Sequence, residues 1–120
     1  ILKYISNYDC VVVPGFIARD EFYHSTTLGR ENSDLSAILY AKYLGVKNVD
    51  FIKDIDGVKD EKDNVLLENK FINEISYEKA LEKALLNKMP ISYDAIVLAK
   101  EFDIKISIKN RENSLLCIIK

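Results

Sequence analysis

The chain has 120 residues, of which 48% are hydrophobic, enough for one packed domain or part of one. Its 17 basic and 19 acidic residues give a formal net charge of −2, and the basic residues form no run, so we expect no nucleic-acid partner. No stretch approaches the roughly 20 apolar residues of a membrane-spanning helix, and residues 1–8 lack the pattern of a signal peptide, so we expect a cytoplasmic protein without membrane contact.

The first part of the chain predicts the tail of a helix over residues 1–8, followed by a short strand. Cys10–Val13 is an apolar run closed by Pro14 and Gly15, which is typical of a strand buried on both faces of a parallel sheet. Residues 19–29 are mostly polar and lack periodicity, so they are predicted as a loop.

A helix is predicted from Ser33 to Leu44. Gly45 ends it, and either Ser33 or Asp34 is predicted as its N-cap. The apolar residues that recur at roughly helical spacing are Leu35, Ile38, Leu39 and Leu44. Val49–Ile52 is predicted as the next strand, which would complete a right-handed β-α-β unit with Cys10–Val13, and residues 53–64 form a polar loop at its carboxyl end.

Two further helices are predicted to begin at Ser76 and Ser92, separated by Pro90. Their apolar faces consist of Ala80, Leu81, Ala84 and Leu85 in the first, and Ala95, Ile96, Ala99 and Phe102 in the second. Ile104, Ile106 and Ile108 alternate with polar residues and predict a half-exposed strand. A turn over residues 110–113 and a last strand over residues 115–119 complete the chain.

Two cysteines, Cys10 and Cys117, lie in apolar runs, and we expect both to stay reduced as small hydrophobic side chains. His24 is the one histidine of the chain. Because no Cys or His spacing matches a known ligand pattern, we expect no protein-bound metal site.

The most informative segment is the run from Thr26 to Ala37, which brings Gly29, Arg30, Ser33 and Asp34 to the start of the predicted helix. Free N–H groups and the positive end of the helix dipole lie there and favour an anionic group of a ligand. Arg30 adds a planar guanidinium suited to a carboxylate. From the residues alone, a capped helix after a glycine turn remains the alternative.

Several segments resemble the aspartokinase family of amino-acid kinases. Gly15–Ala18, then Thr26–Arg30, Ser33–Asp34 and Ala37, resemble its G-F-I stretch and its T-T-L-G-R-G-G-S-D signature in order and spacing. Asp54–Val58 resembles the D-V-D-G-V segment of the superfamily, and Ile75–Ala80 resembles its I-S-Y-x-E-A stretch. The similarity extends from about Val11 to Asn110, whereas Tyr77 to Lys120 is also similar to the end of bacterial uridylate kinases.

Both families share one architecture, so the resemblance implies an α/β fold. We expect a three-layer αβα sandwich of the amino-acid kinase, or carbamate kinase-like, fold with a mainly parallel sheet. Residues 1–120 would be the carboxyl-terminal, nucleotide-binding part of the catalytic domain. The chain carries neither the K-F-G-G glycine loop of aspartokinases nor a regulatory domain, so we expect these residues alone to be inactive and to form a homo-oligomer or to associate with the missing amino-terminal part.

The resemblance also implies an acceptor site. Arg30 would bind a carboxylate of the amino-acid substrate, Asp34 would receive its ammonium group, Ser33 would hydrogen-bond it and Phe16 would close the pocket. A guanidinium and a carboxylate at this spacing complement the zwitterionic end of an amino acid. The alternatives are a mutual salt bridge between Arg30 and Asp34, and simple core packing for Phe16.

For the nucleotide, the resemblance implies Asp54 near ATP and Gly57 where the backbone turns under it. Lys53 replaces the usual Thr or Ser, Lys59 replaces a Tyr, and Glu31 and Asn32 replace the two glycines of G-R-G-G. Lys62-Asp63-Asn64 replaces the D-P-R segment of the family, and residues 87–93 replace its G-A-K-V-L-H-P segment. Lys53, Lys59 and Lys88 are predicted to supply positive charge for the nucleotide, the alternative being a solvated charged face.

The function implied by this resemblance is aspartate kinase, which uses ATP and Mg²⁺ to phosphorylate the β-carboxylate of L-aspartate in lysine, threonine and methionine biosynthesis. Two alternatives remain open. One is a uridylate-kinase-like nucleotide kinase, and the other is a non-catalytic ligand-binding module on the same fold.

Overall fold

The structure, a computed structural model, describes residues 2–29, 32–60 and 71–120. Arg30, Glu31 and the Lys62-Asp63-Asn64 segment therefore lie outside the described residues. Helices and strands are interspersed along the chain and the larger sheet contains parallel pairs, so the predicted α/β class is confirmed.

The amino-terminal part differs from the sequence-based prediction. Helix α1 covers Leu2–Ile5, but residues 10–13 form no strand, and Val12 is 92% exposed. An apolar run becomes a strand only where a neighbouring strand accepts its hydrogen bonds, and no such neighbour exists for this run within the described part of the chain. The predicted β-α-β unit is therefore wrong, because its first strand is missing.

Residues 19–29 were predicted as a loop, yet this region forms a hairpin. Strand β1 covers Ile17–Arg19, strand β2 covers Ser25–Thr27, and the two pair antiparallel. Asp20 organises the turn, because its carboxylate accepts the N–H groups of Phe22 at 2.9 Å and His24 at 2.8 Å. The predicted loop is therefore wrong at Arg19 and Ser25–Thr27, which pair as strands without hydrophobic periodicity, whereas residues 20–24 form the turn between them.

Helix α2 covers Ser33–Leu44, as predicted. Its N-cap is Asn32, not Ser33 or Asp34, and no side chain caps the helix there. The Asn32 amide instead donates to the Leu28 carbonyl at 2.6 Å, which ties the preceding turn to the helix. Gly45 ends the helix in the left-handed conformation with φ 69°, as its position after the last apolar residue predicts.

Four strands form one mixed sheet: β3 (Asn48–Ile52), β4 (Glu74–Ile75), β5 (Lys105–Lys109) and β6 (Leu115–Ile119). Their order is β3-β5-β6-β4. The pairs β3 with β5 and β4 with β6 are parallel, whereas β5 and β6 are antiparallel. The mainly parallel character of the predicted sheet is thus confirmed, and the short strand β4 was missed because two residues carry no periodic signal.

The interior position of β5 changes its burial. Ile106 and Ile108 are buried and Lys105 is exposed, as the alternation predicts, but Ser107 on the polar side is buried as well, so the half-exposed prediction is wrong at Ser107. Alternation indicates which face an apolar side chain occupies, but a strand between two neighbours is also shielded on its polar side.

Helices α3 (Tyr77–Leu85) and α4 (Tyr93–Glu101) confirm the two predicted helices. Helix α4 packs against both α2 and α3, so these three helices form one layer. Leu85, predicted on the apolar face of α3, is exposed. The fully buried core between this layer and the sheet includes Ile38, Ala80, Ile96, Ile106, Ile108, Cys117 and Ile119. None of the helices in the described ranges is long and apolar enough to span a bilayer.

Candidate functional site

The loop before the hairpin lies against the first turns of α2. The Phe16 N–H donates to the Ser36 hydroxyl at 2.8 Å, and the Leu28 N–H donates to the Phe16 carbonyl at 2.9 Å. Gly15 approaches the helix so closely that a Cβ there would lie 3.2 Å from the Cβ of Ser33. The structure therefore brings the predicted acceptor residues Phe16 and Ser33 to the same end of α2.

Phe16 has a positive φ of 72°, which is uncommon for a bulky side chain. Its side chain is partly exposed and lies outside the buried core. The alternative of simple core packing is therefore wrong for Phe16. Its backbone holds the loop on α2, while its ring remains accessible beside the start of the helix.

Asp34, in the first turn of α2, is only 8% exposed and receives three hydrogen bonds. The Lys53 ammonium lies 2.9 Å from its Oδ1 and 3.2 Å from its Oδ2. The Ser92 backbone N–H, at the start of α4, donates to Oδ2 at 3.1 Å. One carboxylate thus connects the start of α2, the residue after β3 and the start of α4.

This contact joins residues that the sequence assigned to separate sites. Asp34 was predicted for the acceptor and Lys53 for the nucleotide, but their side chains form an ion pair. Ser92 was predicted only as a helix start, and no sequence signal indicated that its N–H contacts Asp34. Arg30 lies outside the described residues, so the alternative salt bridge between Arg30 and Asp34 stays a prediction.

A separate cleft of about 360 Å³ brings together three of the predicted nucleotide residues, Gly57, Lys59 and Lys88. Its remaining walls are Ile55, Val58, Asn87, Met89 and Pro90. The Lys83 ammonium donates to the Lys59 carbonyl at 3.0 Å and so fixes the backbone of this wall from α3. A lining that combines two lysines with apolar residues suits a ligand that carries both phosphate groups and a planar apolar ring.

Gly57 has a steric role that the sequence did not reveal. A Cβ on Gly57 would lie 2.5 Å from the Cδ1 of Phe71, whose ring packs directly over this backbone. Only a residue without a side chain permits that contact. The glycine is therefore required by the neighbouring ring, whatever ligand the cleft binds.

Asp54 does not line the cleft. Its carboxylate is exposed and pairs with the Arg111 guanidinium at 3.0 Å, in the turn between β5 and β6. The structure thus separates Asp54 from Gly57 and Lys59, although all three residues follow β3. Over residues 2–29, 32–60 and 71–120, no group of three or more His, Cys, Asp or Glu side chains is arranged to hold a metal ion.

This chain is similar to known proteins in both its sequence and its fold. The model of the "Amino acid kinase family" matches residues 1–110. An aspartokinase of Helicobacter pylori is 33% identical over 103 residues, which cover 86% of this chain and 25% of that protein. The chain therefore spans about a quarter of the length of the curated relatives it matches.

Solved structures show the same fold. Escherichia coli aspartokinase III, in complex with aspartate and ADP, superposes with a TM-score of 0.72 at 29% identity, covering 88% of this chain and 25% of that one. Uridylate kinase of Archaeoglobus fulgidus superposes with a TM-score of 0.62 over 78% of this chain and 50% of that one, at 14% identity, and so shows the fold alone. These similarities confirm the predicted amino-acid kinase fold.

Proposed function

The chain belongs to the amino acid kinase family, and from this premise we propose that the protein is an aspartate kinase to which these residues contribute the carboxyl-terminal part of the catalytic domain. In the reaction, a carboxylate oxygen of L-aspartate attacks the γ-phosphorus of ATP. A new P–O bond forms, the bond to the β-phosphate breaks, and ADP leaves with its electron pair.

The observation that carries this proposal is the ion pair between Asp34, at the start of α2, and Lys53, which precedes the loop that forms one wall of the cleft. Phe16, Ser33 and Asp34 meet at the start of α2, and the lysine-lined cleft lies between the loop after β3 and the residues that follow α3. Phosphoryl transfer requires little covalent chemistry from a protein, but it requires an acceptor and a nucleotide held in line. Lys53, paired with Asp34, follows β3 directly and connects the two regions.

The residues present fit a nucleoside triphosphate. Lys59 and Lys88 would hold phosphate oxygens, and Ile55, Met89 and Pro90 would contact the apolar base. The resemblance implies Asp54 near ATP, but its carboxylate pairs with Arg111 outside the cleft, so this proposal gives it no contact with the nucleotide. Mg²⁺ would arrive on the phosphates, where it neutralises charge as the phosphoryl group is transferred.

For the acceptor, we propose that Arg30 binds a substrate carboxylate, with Ser33 and Phe16 completing the pocket. Support comes from the aspartokinase structure solved with aspartate and ADP, to which this chain is similar. Three further predictions accompany this proposal. They are a role in lysine, threonine and methionine biosynthesis, a cytoplasmic location and a homo-oligomeric assembly.

The test uses the full-length protein and measures ADP release from Mg·ATP with aspartate or UMP as acceptor. Turnover with aspartate supports the proposal, whereas turnover with UMP alone would assign the protein to the uridylate-kinase-like alternative. We expect Arg30→Ala to raise the KM for aspartate about 30-fold or more, because a charge-assisted bidentate pair contributes about 2–3 kcal/mol. An unchanged KM would show that Arg30 does not bind the acceptor.

The nucleotide cleft has its own test. Titration calorimetry with a non-hydrolysable ATP analogue should show binding that weakens with added salt and weakens strongly in the Lys59→Ala, Lys88→Ala double variant. Lys105→Ala, at the exposed start of β5, is the matched control and should leave affinity unchanged. Absence of nucleotide binding in the unmodified protein would favour the non-catalytic module.

A further inference from the structure

We propose that Lys53 couples the binding of the two substrates by changing its partner. The ammonium group of aspartate replaces Lys53 at the Asp34 carboxylate, and the released Lys53 ammonium moves to the phosphate oxygens of the nucleotide. The inference rests on the proposed function, in which Asp34 lies in the acceptor site. It gives a role to a lysine that stands where the resembled family usually has Thr or Ser.

Asp34 has one partner that can leave and one that is fixed. Its carboxylate contacts the Lys53 ammonium at 2.9 and 3.2 Å and accepts the Ser92 N–H at 3.1 Å. The Ser92 N–H is a backbone group at the N-cap of α4, so it is held with the helix. The Lys53 ammonium ends a flexible four-carbon stem, and its side chain is 27% exposed. An arriving ammonium group therefore replaces Lys53 rather than Ser92.

Charge explains why only an ammonium group causes this replacement. The Asp34 side chain is 12% exposed, and a carboxylate buried to that extent requires a cation in the absence of substrate. When both ammonium groups are present, two positive charges share one carboxylate, and their repulsion releases the more mobile of them. An acceptor without an ammonium group offers Asp34 no new cation, so Lys53 stays in place. The pair therefore favours acceptors that carry an ammonium group, as aspartate does.

The released side chain starts beside the nucleotide cleft. The Lys53 N–H donates to the Lys109 carbonyl at 2.9 Å, so the backbone is held and only the side chain moves. Ile55, two residues further on, already lines the cleft. The acidic side chains nearest to Lys53 along the chain, Asp50 and Asp54, are paired with other basic residues. The phosphate oxygens of a bound nucleotide therefore offer Lys53 its new partner, and a cation there stabilises the charge of the transferring phosphoryl group.

The first experiment measures whether the two substrates bind cooperatively to the full-length protein. Calorimetric titration gives the Kd of aspartate with and without a non-hydrolysable ATP analogue and Mg²⁺. We expect the analogue to tighten aspartate binding about tenfold, and aspartate to tighten analogue binding by the same factor, because coupling between two sites is reciprocal. Succinate lacks the amino group and leaves Lys53 on Asp34, so its Kd should not change when the analogue is added.

Two variants separate this role from a structural one. Lys53→Met keeps an unbranched stem and removes the charge, so the effect of the analogue on aspartate binding should be lost and kcat should fall about tenfold or more. Aspartate alone should bind to this variant no more weakly than to the unmodified protein, because no lysine competes for Asp34. A structural role would instead weaken aspartate binding and lower kcat together. Lys109→Met, which removes the lysine that pairs with Asp50 in the same sheet, is the matched control and should change neither quantity.

The outcomes separate the inference from the proposed function. If aspartate is phosphorylated but its Kd does not respond to the analogue, or responds equally for succinate or in Lys53→Met, the inference is overturned and the kinase assignment stands. The succinate comparison uses the unmodified protein, so it decides the inference even if Lys53→Met does not fold. If the protein binds the ATP analogue but neither binds nor phosphorylates aspartate, the proposed function and the inference both fall.

Discussion

Asp34 is expected to stabilise the junction of α2, β3 and α4, and its substitution gives the most specific test of the structure. Asp34→Ala removes the acceptor of the Ser92 N–H and the partner of Lys53 at once. A hydrogen bond to a charged group contributes about 1.5–3 kcal/mol, and removing one partner of a buried ion pair costs about 3–5 kcal/mol. Because Lys53 is 27% exposed and regains water, we expect a total near 3 kcal/mol.

A second substitution separates the contribution of the Asp34 charge from that of its hydrogen bond to the Ser92 N–H. Asp34→Asn keeps an oxygen for the Ser92 N–H but removes the charge opposite Lys53, so about half of the effect, roughly 1.5 kcal/mol, should remain. Asp50→Ala is the control, because its half-exposed carboxylate pairs with a single lysine, and it should cost less than about 1 kcal/mol.

The assay is hydrogen exchange of the Ser92 amide in the full-length protein. A free-energy change of about 1.4 kcal/mol corresponds to a tenfold change in the protection factor. Asp34→Ala should therefore lower the protection of this amide about 100-fold, and Asp34→Asn about tenfold. Asp50→Ala should leave it unchanged. If Asp34→Ala changes protection by less than about threefold, or no more than Asp50→Ala does, the carboxylate does not hold the start of α4 and the reasoning is refuted.

Three other predictions use separate features. Gly57→Ala should lower the free energy of unfolding by about 1–3 kcal/mol in denaturant titrations, because the new Cβ would lie 2.5 Å from the Phe71 ring; a neutral result would show that the ring moves freely. Burial raises the pKa of the Cys117 thiol to about 11, so iodoacetamide at pH 8 should alkylate the exposed Cys10 and spare Cys117; comparable labelling of both would contradict the burial. A hydrogen bond from a lysine on α4 lowers the pKa of Glu78 from 4.5 to about 2. Its contribution to stability should therefore be present above pH 4.5 and disappear as pH falls toward 2, so the stability difference between the unmodified protein and Glu78→Gln should vanish at the acid end; a titration of Glu78 near pH 4.5 would contradict this.

The local elements of this protein follow from its sequence because their causes act within a few residues. Helix α2 begins and ends where the apolar spacing and Gly45 predict, and α3 and α4 follow their serines. The prediction of secondary structure and burial was wrong where a neighbour that is distant in sequence determines whether a segment forms a strand or is buried. Residues 10–13 are apolar enough for a strand but have no partner in the described sheet, and Ser107 is buried on the polar side of β5, which lies between β3 and β6.

In the candidate site, too, some features follow from the sequence and others only from the tertiary structure. Of the residues predicted for the acceptor, Phe16, Ser33 and Asp34 lie together at the start of α2, whereas Arg30 is outside the described residues. Of those predicted for the nucleotide, Gly57, Lys59 and Lys88 share one cleft, whereas Lys53 pairs with Asp34 and Asp54 pairs with Arg111. What only the tertiary structure decided is the partner of Asp34. Lys53 and Ser92 lie 19 and 58 residues further along the chain, and they meet one carboxylate because the end of β3 and the start of α4 are packed against the first turn of α2. Residue type and spacing determine which polar groups are available, whereas packing between distant elements determines which of those groups pair with one another.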